Sequence, residues 1–558
     1  MNKRQYTDLD PNEIFLDSSN IPRFDKHQLE GRIEKSISKS TYVVFMVVFL
    51  ILIVVLSVQS WSLQIKNYSK YSTLSVTNRL RFSDIFSERG LIYDRNNLIL
   101  AENYTKNSSE DFMRRKYIEA EGLAHVLGFV KYPQKDNAGF YYSTKIFGLS
   151  GVEKAFDSYL SGLNGLNIVE TDALGKVVSK NTVRKPEKGR DIHLTIDANL
   201  TEVLFQAIKN TAKQVGFSGG AGIIMDVHTG EVLALTSYPE FNSQVLTEGK
   251  DISTILSYNE DRSLPYLNRA VGGLYSPGST VKLFLAAAAL NEGIINPNKK
   301  ILSTGYLEIP NPYYPGLSTR FNDWKAHGEV DMRKAIAVSS NVYFYEIGGG
   351  YKDQIGLGIN RIEKYARMFG YGSEINGSPF FNGPLGTIPN PAWKISTFKE
   401  KWVLGDTYHT SIGQYGFEVT PLQNLRMVAA VANGGFLVSP IIAKEEKGLY
   451  DKRPLAINPA HFEVVKEGMR LAVKEGTAKG IYFDDLSIAA KTGTAEIDAK
   501  KLYVNSWIVG FFPYDNPKYA FVVVMERGPR HNTVGALYVM RQTLAWMKES
   551  RKEYFLSD

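Results

Sequence analysis

The sequence predicts an α/β protein of the α+β kind: one mainly antiparallel sheet packed between helices, preceded by a β-containing module and a single N-terminal membrane helix. Three observations carry this. Strand-like runs at 221–227 and 231–235, and again at 506–512 and 519–525, bracket a long stretch with helix-like runs at 281–290 and 422–432. Residues 42–58 are almost wholly apolar, and no charged residue occurs between Lys39 and Lys66. Residues 87–101 alternate as strands do, broken by a hairpin turn at Asp94-Arg95-Asn96-Asn97.

Taken in order, residues 1–40 are polar and without apolar periodicity, as expected of a loose tail. Residues 41–63 are long and apolar enough to cross a bilayer as one helix, with Trp61 at an interface. No small-residue cleavage site follows, so the segment reads as a retained signal anchor. Arg23, Lys26, Arg32, Lys35 and Lys39 precede it, and Lys66, Lys70, Arg79 and Arg81 follow it, a balance that barely favours a cytoplasmic N-terminus. Residues 64–190 form the β-containing module, with a short helix over 154–160 closed by Gly162. The polar, Pro- and Gly-bearing run 181–190 marks a boundary, and 191–558 is the main domain.

Composition narrows the chemistry. At 558 residues, 44% hydrophobic and 22% charged, the chain has the length of two or three folded domains. The net charge of +7 suits an anionic neighbour, but there is no long basic run, and no nucleic-acid partner is expected. The absence of cysteine excludes disulfides, thiolate metal sites and a cysteine nucleophile. Eight scattered histidines without an H-E-x-x-H pattern suggest no metal, and no cofactor is expected.

The chemistry centres on Ser276-Pro277-Gly278-Ser279-Thr280-Val281-Lys282, a turn that runs into the alanine-rich helix. Residues three apart share a helix face, so the Lys282 amine is able to approach the Ser279 hydroxyl. A serine hydroxyl needs such a base to become a nucleophile. Burial beside a helix N-terminus disfavours the ammonium form and frees the amine for that task. The S-x-x-K spacing recurs at Ser36 and Ser396, so the spacing alone decides little. Order decides more: only Ser279 is followed within one domain by Ser339-Ser340-Asn341 and then by Lys491-Thr492-Gly493-Thr494.

S-x-x-K, S-x-N and K-T-G in this order are shared by penicillin-binding proteins and class A β-lactamases. Over the whole chain after the tail, the sequence resembles the class B penicillin-binding proteins. Arg89-Gly90-Leu91-Ile92-Tyr93-Asp94-Arg95-Asn96 resembles the family's first pedestal motif, with Asn97 where a glycine is usual. Gly148, Gly151, Glu153, Asp157, Leu160 and Gly162 resemble a second. Gly405-Asp406-Thr407, Ser411-Ile412-Gly413-Gln414 and Thr420-Pro421-Leu422-Gln423 are closer to the elongation type, the penicillin-binding protein 2 family, than to the division type; Tyr415 interrupts the usual Gly-Gln-Gly.

The resemblance implies a peptidoglycan D,D-transpeptidase acylated by β-lactams. Ser279 would attack a D-Ala-D-Ala carbonyl while Lys282 takes its proton. Ser339 would pass a proton to the departing D-alanine, and Asn341 would hold the donor peptide. Lys491 would add positive charge near the terminal carboxylate, Thr492 and Thr494 would bind that carboxylate, and Gly493 would leave room for the stem peptide to pair with the strand. Backbone N–H groups of Ser279 and Thr494 would form the oxyanion hole. It further implies a location at the cytoplasmic membrane with the catalytic domain on the periplasmic side, a RodA-type lipid-linked glycosyltransferase as partner, and a docking role without catalysis for 64–190.

Three function classes remain in view: a transpeptidase, a β-lactam hydrolase with the same acylation site, and a β-lactam sensor. A class A hydrolase would need a glutamate for deacylation, and no E-x-x-L-N stretch occurs. A sensor would normally bring a larger cytoplasmic part than the 40 residues before the anchor. Among other candidates, His327 in the 323–328 stretch is open to a cleft-lining or a packing role, and Tyr343-Phe344-Tyr345 is expected in the core.

Overall fold

The computed structural model describes residues 38–106, 110–137, 141–171, 177–311, 314, 316–449, 452–498 and 500–555. The tail up to residue 37, with Arg23, Lys26, Arg32, Lys35 and Ser36, lies outside the described residues. The chain divides into two compact units, one of residues 1–83 and 167–181, the other of 84–166 and 182–558.

In the first unit, helix α1 (Lys39–Trp61) starts at a Ser38 N-cap and buries no side chain within the chain. Its 23 residues rise about 35 Å, enough to cross a hydrocarbon core of about 30 Å. A three-stranded sheet in the order Leu80–Ile85, Gly165–Thr171, Val177–Arg184 lies mainly in this unit. The last strand occupies the start of the polar run read as a boundary.

The second unit opens with the hairpin expected from the alternating run, Ile92–Tyr93 against Ile99–Tyr104. Asp94 Oδ1 accepts from the backbone N–H of Asn96 and Leu98 at 2.7 and 2.8 Å, and Asn97 sits at φ 65°, a left-handed position that asparagine tolerates. The two pedestal motifs meet in space. Arg89 Nε and Arg115 Nε donate to the two oxygens of Glu153 at 2.6 and 2.8 Å, Arg89 also pairs with Asp157 at 2.8 Å, and Arg89, Arg115 and Glu153 are buried. The helix expected at 154–160 is two short ones, Gly151–Ala155 and Asp157–Leu160, broken at Phe156.

The main sheet has five strands: β1 (Gly219–Asp226), β2 (Val232–Tyr238), β3 (Ala489–Glu496), β4 (Tyr503–Phe512) and β5 (Tyr519–Pro529), ordered β2-β1-β5-β4-β3. Every pairing is antiparallel. Alternate residues feed opposite faces, as the pleat dictates. Ile224, Ile508 and Val523 pack with α2 (Ala198–Val215) and the C-terminal helix Ala536–Ser550, while Ile223, Val509 and Val522 join the core that holds α3 (Lys282–Asn291). The sheet is therefore buried on both sides, which is why its strands read as continuous apolar runs. Ser339 and Ser340 separate α4 (Met332–Val338) from α5 (Asn341–Gly349), and α6 (Pro421–Ala432) is buried throughout.

Candidate active site

Ser279 lies in a 3-10 turn, Gly278–Val281, that leads directly into α3. In 3-10 geometry residues i and i+3 eclipse, which sets Lys282 over Ser279. The turn is held from three sides. Gly278 and Gly413 are both at positive φ, Gly278 N donates to Gly413 O at 3.0 Å, and a Cβ on Gly413 would stand 2.2 Å from Gly278 O. Trp507 Nε1 donates to Ser276 O at 3.0 Å. A Cβ on Gly493 would stand 3.0 Å from Thr280 Cγ2 and 3.2 Å from Pro277 O, so this glycine lets β3 close onto the turn.

A buried strut lies behind the Ser279 turn. Tyr371 OH donates to Asn424 Oδ1 at 2.8 Å, Asn424 Nδ2 donates to Thr280 Oγ1 at 3.1 Å, and Thr280 Oγ1 donates to Pro277 O at 2.9 Å. None of these three side chains is exposed. Asn424 is carried by α6, whose start is a capping box: Thr420 Oγ1 accepts from Gln423 N at 3.2 Å and Gln423 Oε1 accepts from Thr420 N at 3.0 Å. The Thr-Pro-Leu-Gln motif thus fixes a helix start that braces the site.

Two distant segments converge on Lys282, three residues after Ser279. Lys282 Nζ donates to Asn341 Oδ1 at 2.7 Å and to Ser339 O at 2.9 Å, and lies 3.4 Å from Ser339 Oγ. Lys491 Nζ donates to Ser339 Oγ at 2.8 Å and to Thr492 O at 2.7 Å. Both lysines are fully buried, and Phe344 lies 5.5 Å from the Lys282 amine as part of the aromatic core. No hydrogen bond joins Ser279 Oγ to Lys282 among the described residues; the amine is drawn toward Asn341 and Ser339. Ser339 itself is left-handed, at φ 59° and ψ 40°, an uncommon conformation for serine that aims its hydroxyl between the two amines.

Electrostatics follow burial. Desolvation lowers Lys282 to about 7, with Asp323 pulling the other way. Desolvation and the neighbouring Lys282 hold Lys491 well below the ordinary lysine value. The cleft works against two ammonium groups on one hydroxyl.

Thr492 Oγ1 donates to Thr477 Oγ1 at 2.7 Å, a partner that sequence reasoning missed. Thr494 is exposed on β3, the edge strand, beside the Ser279 turn: a Cβ on Gly278 would stand 2.9 Å from Thr494 O. His327 is buried, its Nε2 3.7 Å from Asp323 Oδ1 and its ring against Trp324. Asp323 was also missed as a site residue; a single aspartate in a loop carries no pattern. The other S-x-x-K pair among the described residues is elsewhere: Ser396 Oγ donates to Trp393 O and exposed Lys399 Nζ to Ser396 O, bonds within and at the end of one surface helix. Among the described residues no group of three or more His, Cys, Asp or Glu stands together as a metal site would.

Residues 220–538 match the penicillin-binding protein transpeptidase domain family, and 108–194 the penicillin-binding protein dimerisation domain family. The chain is 30% identical to the peptidoglycan D,D-transpeptidase MrdA of Acinetobacter baumannii, over 86% of this chain and 83% of that one. It is 25% identical to the Helicobacter pylori penicillin-binding protein PBP2 solved in complex with MreC, with a TM-score of 0.70 over 85% of this chain and 99% of that one. A chain of a peptidoglycan synthase complex that coordinates polymerization and crosslinking is also 25% identical, with a TM-score of 0.70 over 91% and 98%.

Proposed function

The chain belongs to the penicillin-binding protein transpeptidase family and is a serine peptidoglycan D,D-transpeptidase of the elongation type; we propose that Ser279 is its nucleophile and Lys282 the base. The observation that carries the assignment is the convergence of Lys282, Ser339, Asn341 and Lys491 in one buried hydrogen-bonded cluster. A neutral lysine amine has two N–H groups and one lone pair. With its N–H groups given to Ser339 O and Asn341 Oδ1, the lone pair is left to take the Ser279 proton.

In the forward step Ser279 Oγ bonds to the penultimate D-alanine carbonyl carbon of a stem peptide, and its proton passes to Lys282. The tetrahedral oxyanion accepts from the backbone N–H groups of Ser279 and Thr494, donors worth on the order of 3 kcal/mol each. The C–N bond then breaks. A hydroxyl has one proton and two lone pairs, so Ser339, between two amines, is suited to hand a proton to the leaving D-alanine. The amine of a second stem peptide attacks the acyl-enzyme, forms the cross-link and restores Ser279. Asn341 orients the donor strand. Thr492 and Thr494 hold the terminal carboxylate with Lys491 behind them, and Gly493 keeps β3 close enough to the turn for the peptide to lie along its open edge.

The catalytic domain works on the periplasmic side of the cytoplasmic membrane, held by α1, because peptidoglycan lies outside that membrane. The module before residue 190 is a pedestal for docking, and a RodA-type glycosyltransferase and an MreC-type protein are its partners; the complexes formed by the related chains support this. β-Lactams mimic the stem peptide and acylate the same serine. Fluorescent penicillin tests the reading: the parent and Ser396→Ala take up stable covalent label and Ser279→Ala takes up none. Rapid release of label would point to a hydrolase instead.

A further inference from the structure

We propose that Asp323 is a positioning residue of the acylation site: its buried carboxylate ties a short strand, the Ser339-Ser340-Asn341 turn and the start of α5 into one piece that presents Ser339 and Asn341 to Lys282. The proposal rests on the reading of Ser279 as nucleophile. Asp323 Oδ2 accepts from Ser340 Oγ at 2.8 Å, from Val342 N at 3.1 Å and from Ser303 Oγ at 3.1 Å, while Oδ1 accepts from Trp324 N at 2.9 Å. Its side chain has no exposed surface. Ser303 ends the strand Ile301–Ser303, paired with Gly328–Val330, so the loop that carries Asp323 is closed at its base.

The turn it grips needs restraint. Only Ser339 and Ser340 stand between α4 and α5, and Ser339 is left-handed, a conformation that is costly for a residue with a Cβ. Ser340 caps α5 by accepting from Tyr343 N at 3.4 Å and donates its own O–H to Asp323 Oδ2, so helix cap and carboxylate are linked through one hydroxyl. Val342 N is among the first N–H groups of α5, which have no partner within the helix, and the carboxylate fills that vacancy where the dipole favours an anion. Trp324, next to Asp323, donates from Nε1 to Val338 O at 3.1 Å and closes the other end of the turn.

The charge has a second consequence. Burial tends to raise Asp323, but the N–H groups of Asn341 and Val342, the Lys282 charge and the Ser340 hydroxyl outweigh it and keep the carboxylate ionised. The charged and titratable groups around it are Lys282 on α3, Lys491 on β3 beyond Lys282, Tyr345 on α5, and His327 and Lys325 of its own loop. Among them Asp323 favours the ammonium form of Lys282. Without its charge the amine loses its proton at lower pH, and the acid limb of acylation moves to lower pH. A purely structural carboxylate would leave that limb where it is.

The test uses the full-length protein in detergent, with acylation by a fluorescent penicillin followed from about pH 5 to about pH 9, beside thermal melting. Asp323→Asn keeps the shape and removes the charge. It is expected to move the acid limb down by about half a pH unit or more. Asp323→Ala and Ser340→Ala are expected to slow acylation at saturating penicillin by about tenfold and severalfold at temperatures where the variants remain folded. Label confined to Ser279 with an unmoved limb in Asp323→Asn, or rates that fall only with the folded fraction, overturns this proposal alone. Label that survives in Ser279→Ala overturns the nucleophile reading and this proposal with it.

Discussion

Ser339 is the residue at which the two lysine amines meet. It combines a strained backbone with a hydroxyl set between two amines, and the two features are separable by mutation. Ser339→Gly and Ser339→Ala both remove the hydroxyl, but only glycine enters the left-handed region without a Cβ penalty. The glycine variant is expected to be about 1 kcal/mol more stable than the alanine variant in calorimetry, with both slowed in acylation by 100-fold or more, within the range of about 100-fold to 10,000-fold for a lost proton-transfer group. Lys282 sets the pH dependence. Its folded value is depressed to about 7 by burial, and the neutral amine is the active form, so acylation is full above that value and falls as pH drops through it. A parent profile whose acid limb lies near the ordinary lysine value would contradict a buried, neutral base.

At the scale of elements, the Tyr371–Asn424–Thr280 strut joins α6 to the turn that carries the nucleophile. Thr280→Val keeps the side-chain shape and leaves Asn424 without its acceptor, whereas Thr280→Ser keeps the hydroxyl. A buried polar group left unpaired costs about 1–3 kcal/mol. Thr280→Val is therefore expected to melt earlier and acylate more slowly, with Thr280→Ser close to the parent, and Asn424→Leu combined with Thr280→Val is expected to cost less than the sum of the two alone. Additive losses would mean that the strut does not act as a unit. Such couplings explain what the sequence left illegible. Ser279, Lys282, Ser339, Asn341 and Lys491 could be read because each belongs to a short motif in a fixed order. Asp323, Thr477 and Asn424 could not, because each acts through partners distant in the chain: Thr280 and Asn424 are 144 residues apart. Strand β3 was also hard to see as a strand, since Lys491, Thr492, Gly493 and Thr494 interrupt its apolar pattern. The Thr420–Gln423 capping box was legible in principle as T-x-x-Q before an apolar run, and Gly413 was noted for family likeness while its contact with Gly278 emerged only in space.

At the scale of the whole molecule, residues 84–166 hold a buried ion cluster. Glu153 is fully buried between Arg89 and Arg115. Burial works to raise its carboxyl, the two guanidiniums more than reverse this, and its folded value is depressed. A depressed carboxylate contributes stability that is present above the unfolded value and is lost as pH falls through the folded one, so the structure around Glu153 is expected to loosen in acid. Glu153→Gln leaves two buried guanidiniums without their anion and is expected to cost about 3–5 kcal/mol, read as a lower melting temperature, while the Ser279 cleft keeps its geometry. Acylation at Ser279 in that cleft is read by peptide mapping with mass spectrometry after incubation of the full-length protein with penicillin. One stable acyl adduct is expected, on the peptide that contains Ser279, absent from Ser279→Ala. An adduct on the peptide that contains Ser396, or one that persists when Ser279 is replaced, would contradict it.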